Sequence, residues 1–308
     1  MKLLDRAIVR VLPAVPKPVV RRLSAHYIAG RDLSDACRCV KHLNDGSRMA
    51  TIDVLGEEIT NPAEAAAITR EYRRVLETID RERLDSNISV KPTALGLGLD
   101  LDLFRENLGY VVREAAPRGN FVRIDMEDAT TTDDTLRVYR ELREAGHDNL
   151  GVVLQASLRR TVDDVRALAD LVPNVRLCKG IYVESPAIQF REFEAVRRSF
   201  VAALAALLDA GAYVGIATHD SYLVEEGRRL VDERGKEAGA YEFQMLLGVR
   251  EALGDSIVRE GRRLRIYVPF GTHWYAYSLR RLQENPKIAG YIAADTLARL
   301  VPGRNGRG

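Results

Sequence analysis

From residue 49 onward, short apolar runs alternate with longer amphipathic stretches, the pattern expected when strands and helices follow one another. Apolar runs of strand length occupy residues 50–54, 87–91, 121–126, 152–155, 175–179, 214–218, 241–245 and 264–269. Helical periodicity occupies residues 62–83, 101–116, 132–145, 162–171, 187–208, 222–234, 246–253 and 276–283. Strands that each precede a helix predict an α/β fold with a closed parallel sheet, the (β/α)₈ TIM-type barrel.

A doubly wound open sheet is the alternative fold for such an alternation. Its fingerprint is a glycine-rich turn that follows an early strand and opens a helix. The segment Gly96-Leu97-Gly98 comes closest, but it lacks the third glycine and does not open a helix directly, so it is predicted to be a loop. Since no repeat or linker interrupts the 308 residues, we predict one domain over 1–308, with an N-terminal helical segment at 1–48 and the barrel at 49–300.

The N-terminal segment contains no strand pattern. Its apolar residues fall on one helical face, with Arg6 and Arg10 off that face. The face comprises Leu3, Leu4, Ala7, Ile8, Val11 and Leu12. Two interpretations stay open, a helix packed on the body of the protein and a helix in contact with a membrane surface.

Composition narrows the class of protein. Hydrophobic residues make up 46% and charged residues 29%, with a net charge of +2 and a pI near 8.4, as in an ordinary globular protein. No Lys/Arg cluster with interleaved aromatic residues supports nucleic-acid binding. Three cysteines cannot form a disulfide framework, and no zinc-ligand spacing is present, so no metal is expected. Without a signal pattern or a bilayer-spanning apolar run, a cytoplasmic location is predicted.

Candidate chemistry lies at the predicted strand ends. In parallel barrels, reactive groups cluster where the carboxyl ends of the strands meet. Seven successive strand ends carry ionisable or hydrogen-bonding groups, whereas a structural strand end needs only turn residues. One such group could be a surface salt-bridge partner, but the set predicts a functional site. The groups are Lys91, Asp125, Glu127, Gln155, Arg176, Lys179, Thr218, His219, Glu242, Gln244 and Tyr267.

The predicted last helix adds a second cluster. Helical spacing places Tyr277, Arg280, Arg281 and Glu284 close to one face. Two adjacent guanidinium groups can clamp a carboxylate through bidentate hydrogen bonds. The alternative is a solvated arginine pair beside Glu284.

Seven motifs in order make this sequence resemble the proline dehydrogenases, both the free-standing enzymes and the corresponding domain of bifunctional proline-utilisation proteins. The resemblance covers roughly residues 53–286. The motifs are S-V-K-P-T-A-L-G, R-I-D-M-E-D, L-Q-A-S-L-R-R, R-L-C-K-G-I-Y, I-A-T-H-D, E-F-Q-M-L-L-G and W-Y-A-Y-S-L-R-R-L-Q-E-N-P. A single motif would be weak, but seven at compatible spacing are specific to the family.

The resemblance implies FAD-dependent oxidation of L-proline to Δ1-pyrroline-5-carboxylate, the first step of proline degradation to glutamate. The flavin is expected to be bound non-covalently and to pass electrons to a quinone. That acceptor would bring the protein to the inner face of the cell membrane. A separate Δ1-pyrroline-5-carboxylate dehydrogenase would take the product, because this chain is too short to contain one. The family also implies that the last helix lies over the carboxyl-terminal face of the barrel.

Site residues follow from the resemblance one by one. Arg280, Arg281 and Lys91 are expected to hold the substrate carboxylate, Asp125 to pair with that lysine, and Tyr267 to pack over the proline ring. These five are the expected catalytic residues. Tyr182, Tyr277 and Glu284 would complete the substrate pocket. The expected cofactor-binding residues are Gln155, Arg176, Lys179, Gly180, Tyr182, Thr218, His219, Glu242 and Gln244, with Arg176 donating toward the flavin N5.

Departures from the family pattern are few. Ile181 stands where many members have alanine, Cys178 where many have valine, and Thr93 where serine is common. Three other functions stay open: a hydroxyproline dehydrogenase, a methylenetetrahydrofolate reductase, and a flavin-free barrel that acts only as a binding protein. The reductase would need a nicotinamide site and would not explain the tandem arginines.

Overall fold

A computed structural model of the protein describes residues 27–56, 59–275 and Ser278. The strands are β1 (Met49–Val54), β2 (Ser86–Val90), β3 (Val122–Ile124), β4 (Leu150–Gln155), β5 (Asn174–Cys178), β6 (Tyr213–Ala217), β7 (Tyr241–Leu246) and β8 (Leu264–Phe270). The helices are α1 (Leu33–Asp45), α2 (Pro62–Glu82), α3 (Leu101–Ala115), α4 (Thr132–Glu144), α5 (Thr161–Leu168), α6 (Phe193–Asp209), α7 (Ser221–Glu233) and α8 (Glu251–Arg259). Short 3₁₀ turns lie at Thr93–Leu95, Ala116–Arg118, Ala169–Leu171 and Ala238–Ala240.

The strands form a closed parallel barrel in chain order. Each strand pairs with the next, and β8 returns to β1 with Ala50 opposite Ile266 and Ile52 opposite Val268. Closure leaves no sheet edge, so the doubly wound alternative is wrong and the barrel prediction is confirmed. The start of α2 also agrees with the sequence, since Asn61 Oδ1 accepts from Glu64 N at 3.1 Å before Pro62.

The seam between β8 and β1 is covered by α1, which precedes the barrel in the chain. Asp32 caps this helix. This helix packs against both strands of the seam, the place that a helix after the last strand takes in a regular barrel. Of the helix predicted at 276–283, Ser278 is described, and Trp274 and Tyr275 are described just before it. The rest of that helix and the predicted helix at residues 3–12 lie outside the described residues. Across the described part of the chain, no helix is both long and apolar enough to traverse a bilayer.

Alternation along the strands separates two faces. Ile52 and Ile124 point outward into the apolar layer between sheet and helices, and both are fully buried. Thr51, Asp53 and Arg123, their alternate neighbours, are also buried, but they face polar partners inside the barrel. Barrel interiors usually hold layers of branched apolar residues. Here a polar network takes their place.

Arg123 illustrates what this network requires. Its Nη1 donates to Val152 O at 2.9 Å and to Asn174 O at 2.7 Å. Its Cζ lies 5.0 Å from the centre of the Phe121 ring. Burial, and after it the charge of Arg176, lower the pKa of Arg123 to about 9, so the group is still charged at neutral pH. A side chain in place of Gly151 would overlap this guanidinium.

Two helix predictions need correction. Helix α6 begins at Phe193 rather than 187, because the preceding residues pair with another loop. Gln189 bridges to Leu158, and Phe190 N donates to Ser157 O at 2.7 Å. A chain engaged in these contacts cannot also make helical hydrogen bonds.

The helix predicted at 246–253 is wrong. Strand β7 continues through Leu246, and α8 occupies Glu251–Arg259 instead. Gly248 and Arg250 have φ values of 68° and 53°, in the left-handed region that interrupts a right-handed helix. The apolar residues after β7 have helical spacing, which led to the prediction. The spacing does not show that the backbone turns at Gly248 and Arg250.

Gly215→Ala is expected to destabilise the protein, because the added Cβ would overlap Gln244 Nε2 inside the closed barrel. Overpacking a dense interior costs about 1–3 kcal/mol in the free energy of unfolding. Gly98→Ala is the matched control, since a Cβ there meets nothing within 4 Å. Urea denaturation of both variants and the parent measures the difference. Equal stability of the two variants would show that the interior accepts the methyl group without strain.

Candidate active site

A cavity of about 590 Å³ opens at the carboxyl-terminal edge of the barrel. The strand order brings the predicted site residues together here, although they are scattered over the chain. Those that line the cavity are Lys91, Asp125, Glu127, Gln155, Arg176, Lys179, Gly180, Tyr182, Thr218, His219, Gln244 and Tyr267. Tyr277, Arg280, Arg281 and Glu284 lie outside the described residues. Within the described ranges, no group of three or more His, Cys, Asp or Glu side chains is arranged to hold a metal ion.

Lys91 is held by a carboxylate from the first strand. Its Nζ lies 2.7 Å from both carboxylate oxygens of Asp53, which is fully buried. The lysine is also 3.5 Å from Tyr267 Oη. The bidentate contact gives the buried ammonium a countercharge beside the cavity.

Asp125 pairs with Arg176, which corrects the expectation that it pairs with Lys91. Arg176 Nη1 donates to Asp125 Oδ1 at 2.6 Å, and Ser89 Oγ donates to the same oxygen at 2.7 Å. The other oxygen accepts from Tyr267 Oη at 2.7 Å. The physical reason is position: β1 places Asp53 beside Lys91, leaving Asp125 to the arginine across the barrel.

Tyr267 lies between these two ion pairs. Burial, followed by the charges of Asp125 and Asp53, raises the pKa of Tyr267 well above its ordinary value. The phenol therefore stays protonated and donates to Asp125. Its ring also packs beneath the Arg176 guanidinium, 5.2 Å from ring centre to Cζ.

Glu242 does not line the cavity, contrary to the expectation that it binds the cofactor. It is 2% exposed and lies one layer below Gln244 on β7. Its carboxylate accepts from Arg265 Nε at 2.7 Å, Gln244 Nε2 at 2.6 Å and Tyr213 Oη at 2.7 Å. Only Gln244 of the β7 pair reaches the cavity.

Gly180 lets the backbone approach the cavity wall. Its φ of 91° lies in the left-handed region, and a Cβ at this position would overlap Ser157 Oγ. Gln155 stands next to it, and its Nε2 donates to Glu127 O at 2.7 Å. The glycine therefore lets the backbone after β5 pack closely against the side chains of Ser157 and Gln155.

Charged and aromatic groups form the wall at the mouth. Lys179 Nζ lies 3.8 Å from Asp220 Oδ2 and 5.3 Å from the centre of the Phe193 ring. Arg197 donates to both oxygens of Asp220 at 2.7 and 2.9 Å. These hydrogen bonds, and behind them the charge of Lys179, hold the pKa of Asp220 below its ordinary value despite partial burial. Asp220 thus fixes two cations at the edge of the cavity.

His219 and Thr218 are positioned by the backbone. Leu246 N donates to His219 Nε2 at 2.9 Å, so the proton of a neutral ring resides on Nδ1. Thr218 Oγ1 accepts from Asp220 N at 3.1 Å. Both side chains are oriented before any ligand binds.

Cys178 faces the same cavity. Burial is the largest influence on its thiol and raises the pKa of Cys178 to about 11. The group is therefore a neutral thiol at physiological pH, and acts as wall rather than nucleophile.

Asp53 and Asp220 are the residues that sequence reasoning missed. Asp53 interrupts the apolar run A-T-I-D-V, and an ionised group in a strand buried on both faces requires a partner, which was a usable signal. Asp220 ends the motif I-A-T-H-D but received no role. The contribution of Arg197 left no trace in the sequence, because it depends on how α6 meets α7.

A closed parallel barrel with ionised groups arranged around a cavity at its carboxyl edge defines the class of barrel enzymes. The family model for proline dehydrogenase matches residues 36–293. Proline dehydrogenase 1 of Bacillus subtilis (strain 168) is 36% identical over 284 residues, which cover 92% of this chain and 94% of the relative. Proline dehydrogenase of Deinococcus radiodurans is 33% identical over 279 residues, which cover 89% and 90%. The chain belongs to the proline dehydrogenase family, a family of oxidoreductases.

A solved structure supports the fold. Proline utilization A (PutA) from Bdellovibrio bacteriovorus, inactivated by N-propargylglycine, superposes with a TM-score of 0.83 at 24% identity. The match covers 90% of this chain and 36% of that longer chain. The described barrel thus corresponds to one part of a larger protein.

Asp53→Asn is expected to lower the free energy of unfolding by about 3–5 kcal/mol, because it removes the buried countercharge that lies 2.7 Å from Lys91 Nζ. The control is Asp232→Asn, whose exposed carboxylate pairs with Arg262. Surface pairs contribute little, so the control should unfold like the parent. Urea denaturation at pH 7 compares the three proteins. Equal effects of the two substitutions would contradict a structural role for the buried pair.

Proposed function

We propose that the protein oxidises L-proline to Δ1-pyrroline-5-carboxylate with bound FAD and passes the electrons to a quinone. The observation that carries this proposal is Arg176. Two of its nitrogens are engaged by Gln244 and Asp125, whereas Nη2 has no hydrogen-bond partner among the described residues. A rigidly held cation therefore presents a donor to the cavity, as a flavin site requires near the ring nitrogen that gains charge.

The remaining cavity residues fit a flavin nucleotide. Gln155 and Arg176 would face the ring system, and the close backbone at Gly180 would admit its edge. Lys179 would approach the phosphates, since it is 37% exposed at the mouth. Thr218 and His219 would contact the adenosine end. The flavin, when bound, supplies the hydride-accepting chemistry.

The chain itself orients the amino acid. Lys91, with its charge maintained by Asp53, supports a point contact to the substrate carboxylate. Arg280 and Arg281, proposed from the family resemblance, would complete a three-cation clamp on that group. Tyr267 would pack against the proline ring, while its protonated hydroxyl donates to Asp125. No side chain is assigned as base, because the amine proton can pass to solvent.

An apolar rim beside the mouth supports a quinone acceptor. Exposed Ile181 and Phe193 line the cavity, and exposed Val183 and Ile188 lie between them in the chain. Exposed Tyr222 packs on the Arg197 guanidinium, as Phe193 does. Val183 is 82% exposed. An exposed apolar cluster at a cavity mouth is typical of an interaction site. The rim would receive the apolar acceptor at the inner face of the membrane, which keeps a peripheral location in the proposal.

The second candidate is hydroxyproline oxidation, which uses the same chemistry on a hydroxylated ring. The position of Tyr267 favours L-proline, because its Oη is already bonded to Asp125 and its ring fills the space beside Arg176. A separate enzyme would oxidise the product further. A flavin-free binding protein is the remaining alternative.

Purified protein is expected to absorb in the visible region as a flavoprotein and to reduce a dye when L-proline is added. Acid precipitation should release the chromophore. Arg280→Ala and Arg281→Ala should each raise the KM for proline with flavin still bound. The expected loss of binding free energy is about 1.5–3 kcal/mol, that of one charge-assisted hydrogen bond.

Arg234→Ala is the control for this assay, since Arg234 forms an ion pair with Asp209 on the outer surface. A colourless protein without proline-dependent dye reduction would overturn the proposed function. A parent with equal kcat/KM for trans-4-hydroxy-L-proline would favour the second candidate. An unchanged KM in both arginine variants would remove the carboxylate clamp.

Val183→Ser with Ile188→Ser should raise the KM for a long-chain quinone about three- to tenfold, because apolar contact area is lost. The KM for a water-soluble dye should stay as in the parent. Val172→Ser is the matched control, an exposed valine at the turn before β5. Equal changes with both acceptors would indicate that the rim does not receive the quinone.

A further inference from the structure

Glu242 is an ionised group buried inside the barrel without access to the cavity. Burial alone would raise its pKa, but the charge of Arg265 and the hydrogen bonds from Arg265, Tyr213 and Gln244 outweigh it and hold the pKa of Glu242 below its ordinary value. An ionised carboxylate has only acceptor sites. Every neighbour of this group must therefore present a donor to it.

That requirement orients the amide of Gln244. Its Nε2 donates to Glu242 Oε1 at 2.6 Å, and its Oε1 accepts from Arg176 Nε at 2.6 Å. In the flipped amide, oxygen would face the carboxylate and NH₂ would face the guanidinium, so both contacts would become repulsive. An acceptor-only group on one side and a donor-only group on the other leave one orientation.

Gly215 confines the same amide from a third side. It lies opposite Glu242 in the pairing of β6 with β7. A Cβ on this residue would overlap Gln244 Nε2, so the amide packs directly on the strand backbone. The side chain of Gln244 is thus held by charge pattern and by shape together.

We propose that Glu242 is a positioning residue for Arg176, acting through Gln244. The carboxylate sets the amide direction, and the amide oxygen then anchors Nε while Asp125 anchors Nη1. Two anchors on one planar guanidinium fix its plane. The direction in which Nη2 can donate is therefore set by the protein and not by the ligand. The consequence for catalysis rests on the proposed function, in which Arg176 faces the flavin.

The direct test uses the flavin-free protein. The Arg176 Nε–H proton, assigned by comparison with Arg176→Lys, is followed by nitrogen-15 NMR. In Glu242→Gln the group beside Gln244 loses its negative charge, so its hold on the orientation of the Gln244 amide weakens. Exchange of the Nε–H with water is expected to accelerate on the order of tenfold, the equivalent of one lost hydrogen bond.

Tyr213→Phe is the matched control, because it removes a different hydrogen bond from the same carboxylate, 2.7 Å long, and leaves Gln244 in contact. Its exchange rate should match the parent's. An unchanged rate in Glu242→Gln, or an equal acceleration in Tyr213→Phe, would overturn the proposal.

A double-variant cycle tests the route. Gln244→Met removes the amide, so adding Glu242→Gln to it should change the exchange rate no further. Additive effects would mean that Glu242 does not act through Gln244. Should Glu242→Gln fail to fold because Arg265 loses its counterion, Glu242→Gln with Arg265→Gln removes both charges and is judged by the same criteria.

The loaded enzyme supplies an independent readout. With flavin bound, Glu242→Gln should slow flavin reduction by proline on the order of tenfold. It should also make the flavin reduction potential more negative, with a proline KM within about twofold of the parent's. A loss of substrate affinity instead, with an unchanged potential, would contradict action through Arg176. A parent without flavin or proline oxidation would refute the proposed function alone, since the exchange measurement needs neither.

Discussion

Charges enclosed by the barrel have to be paired with one another, because a low-dielectric interior without water penalises each one that is left alone. The buried ionisable side chains that face the barrel axis are Lys91, Arg123, Arg176, Arg265, Asp53, Asp125 and Glu242. Each carboxylate serves a cation: Asp53 binds Lys91, Asp125 binds Arg176 and Glu242 binds Arg265. Arg123 is satisfied by Val152 O and by Asn174. The small residues Gly151 and Gly215 exist at the points where these side chains need room.

The alternation of strand residues made the fold predictable. Outward positions such as Ile52 and Ile124 are apolar, and every predicted strand fell within about a residue or two of its observed bounds. The errors arose where local backbone geometry decided the outcome. Left-handed Arg250 stopped a helix that periodicity alone would have started earlier, and loop pairing at Gln189 delayed α6.

The site was predictable as a set of residues but not as a network. Parallel topology places strand ends together, so the cavity lining followed from the strand assignments. Partners within the interior depend on the register between nearby strands and on how far each side chain reaches, and the order of the strands alone does not determine either. Lys91 therefore pairs with Asp53, to which the sequence analysis assigned no role. Glu242, which was expected in the cavity, lies in the layer beneath it.

The charge balance of this interior also bears on what the cavity binds. Four cations and three carboxylates line the cavity itself: Lys91, Arg176, Lys179 and Arg250, and Asp125, Glu127 and Asp220. Each of these carboxylates accepts a hydrogen bond from the protein, Asp125 from Arg176, Glu127 from Thr93 and Asp220 from Arg197. Arg176 Nη2, by contrast, has no acceptor among the described residues and is left to donate into the cavity. An anionic carboxylate or an electron-rich ring meets a favourable field there, and a cationic ligand of similar size would not.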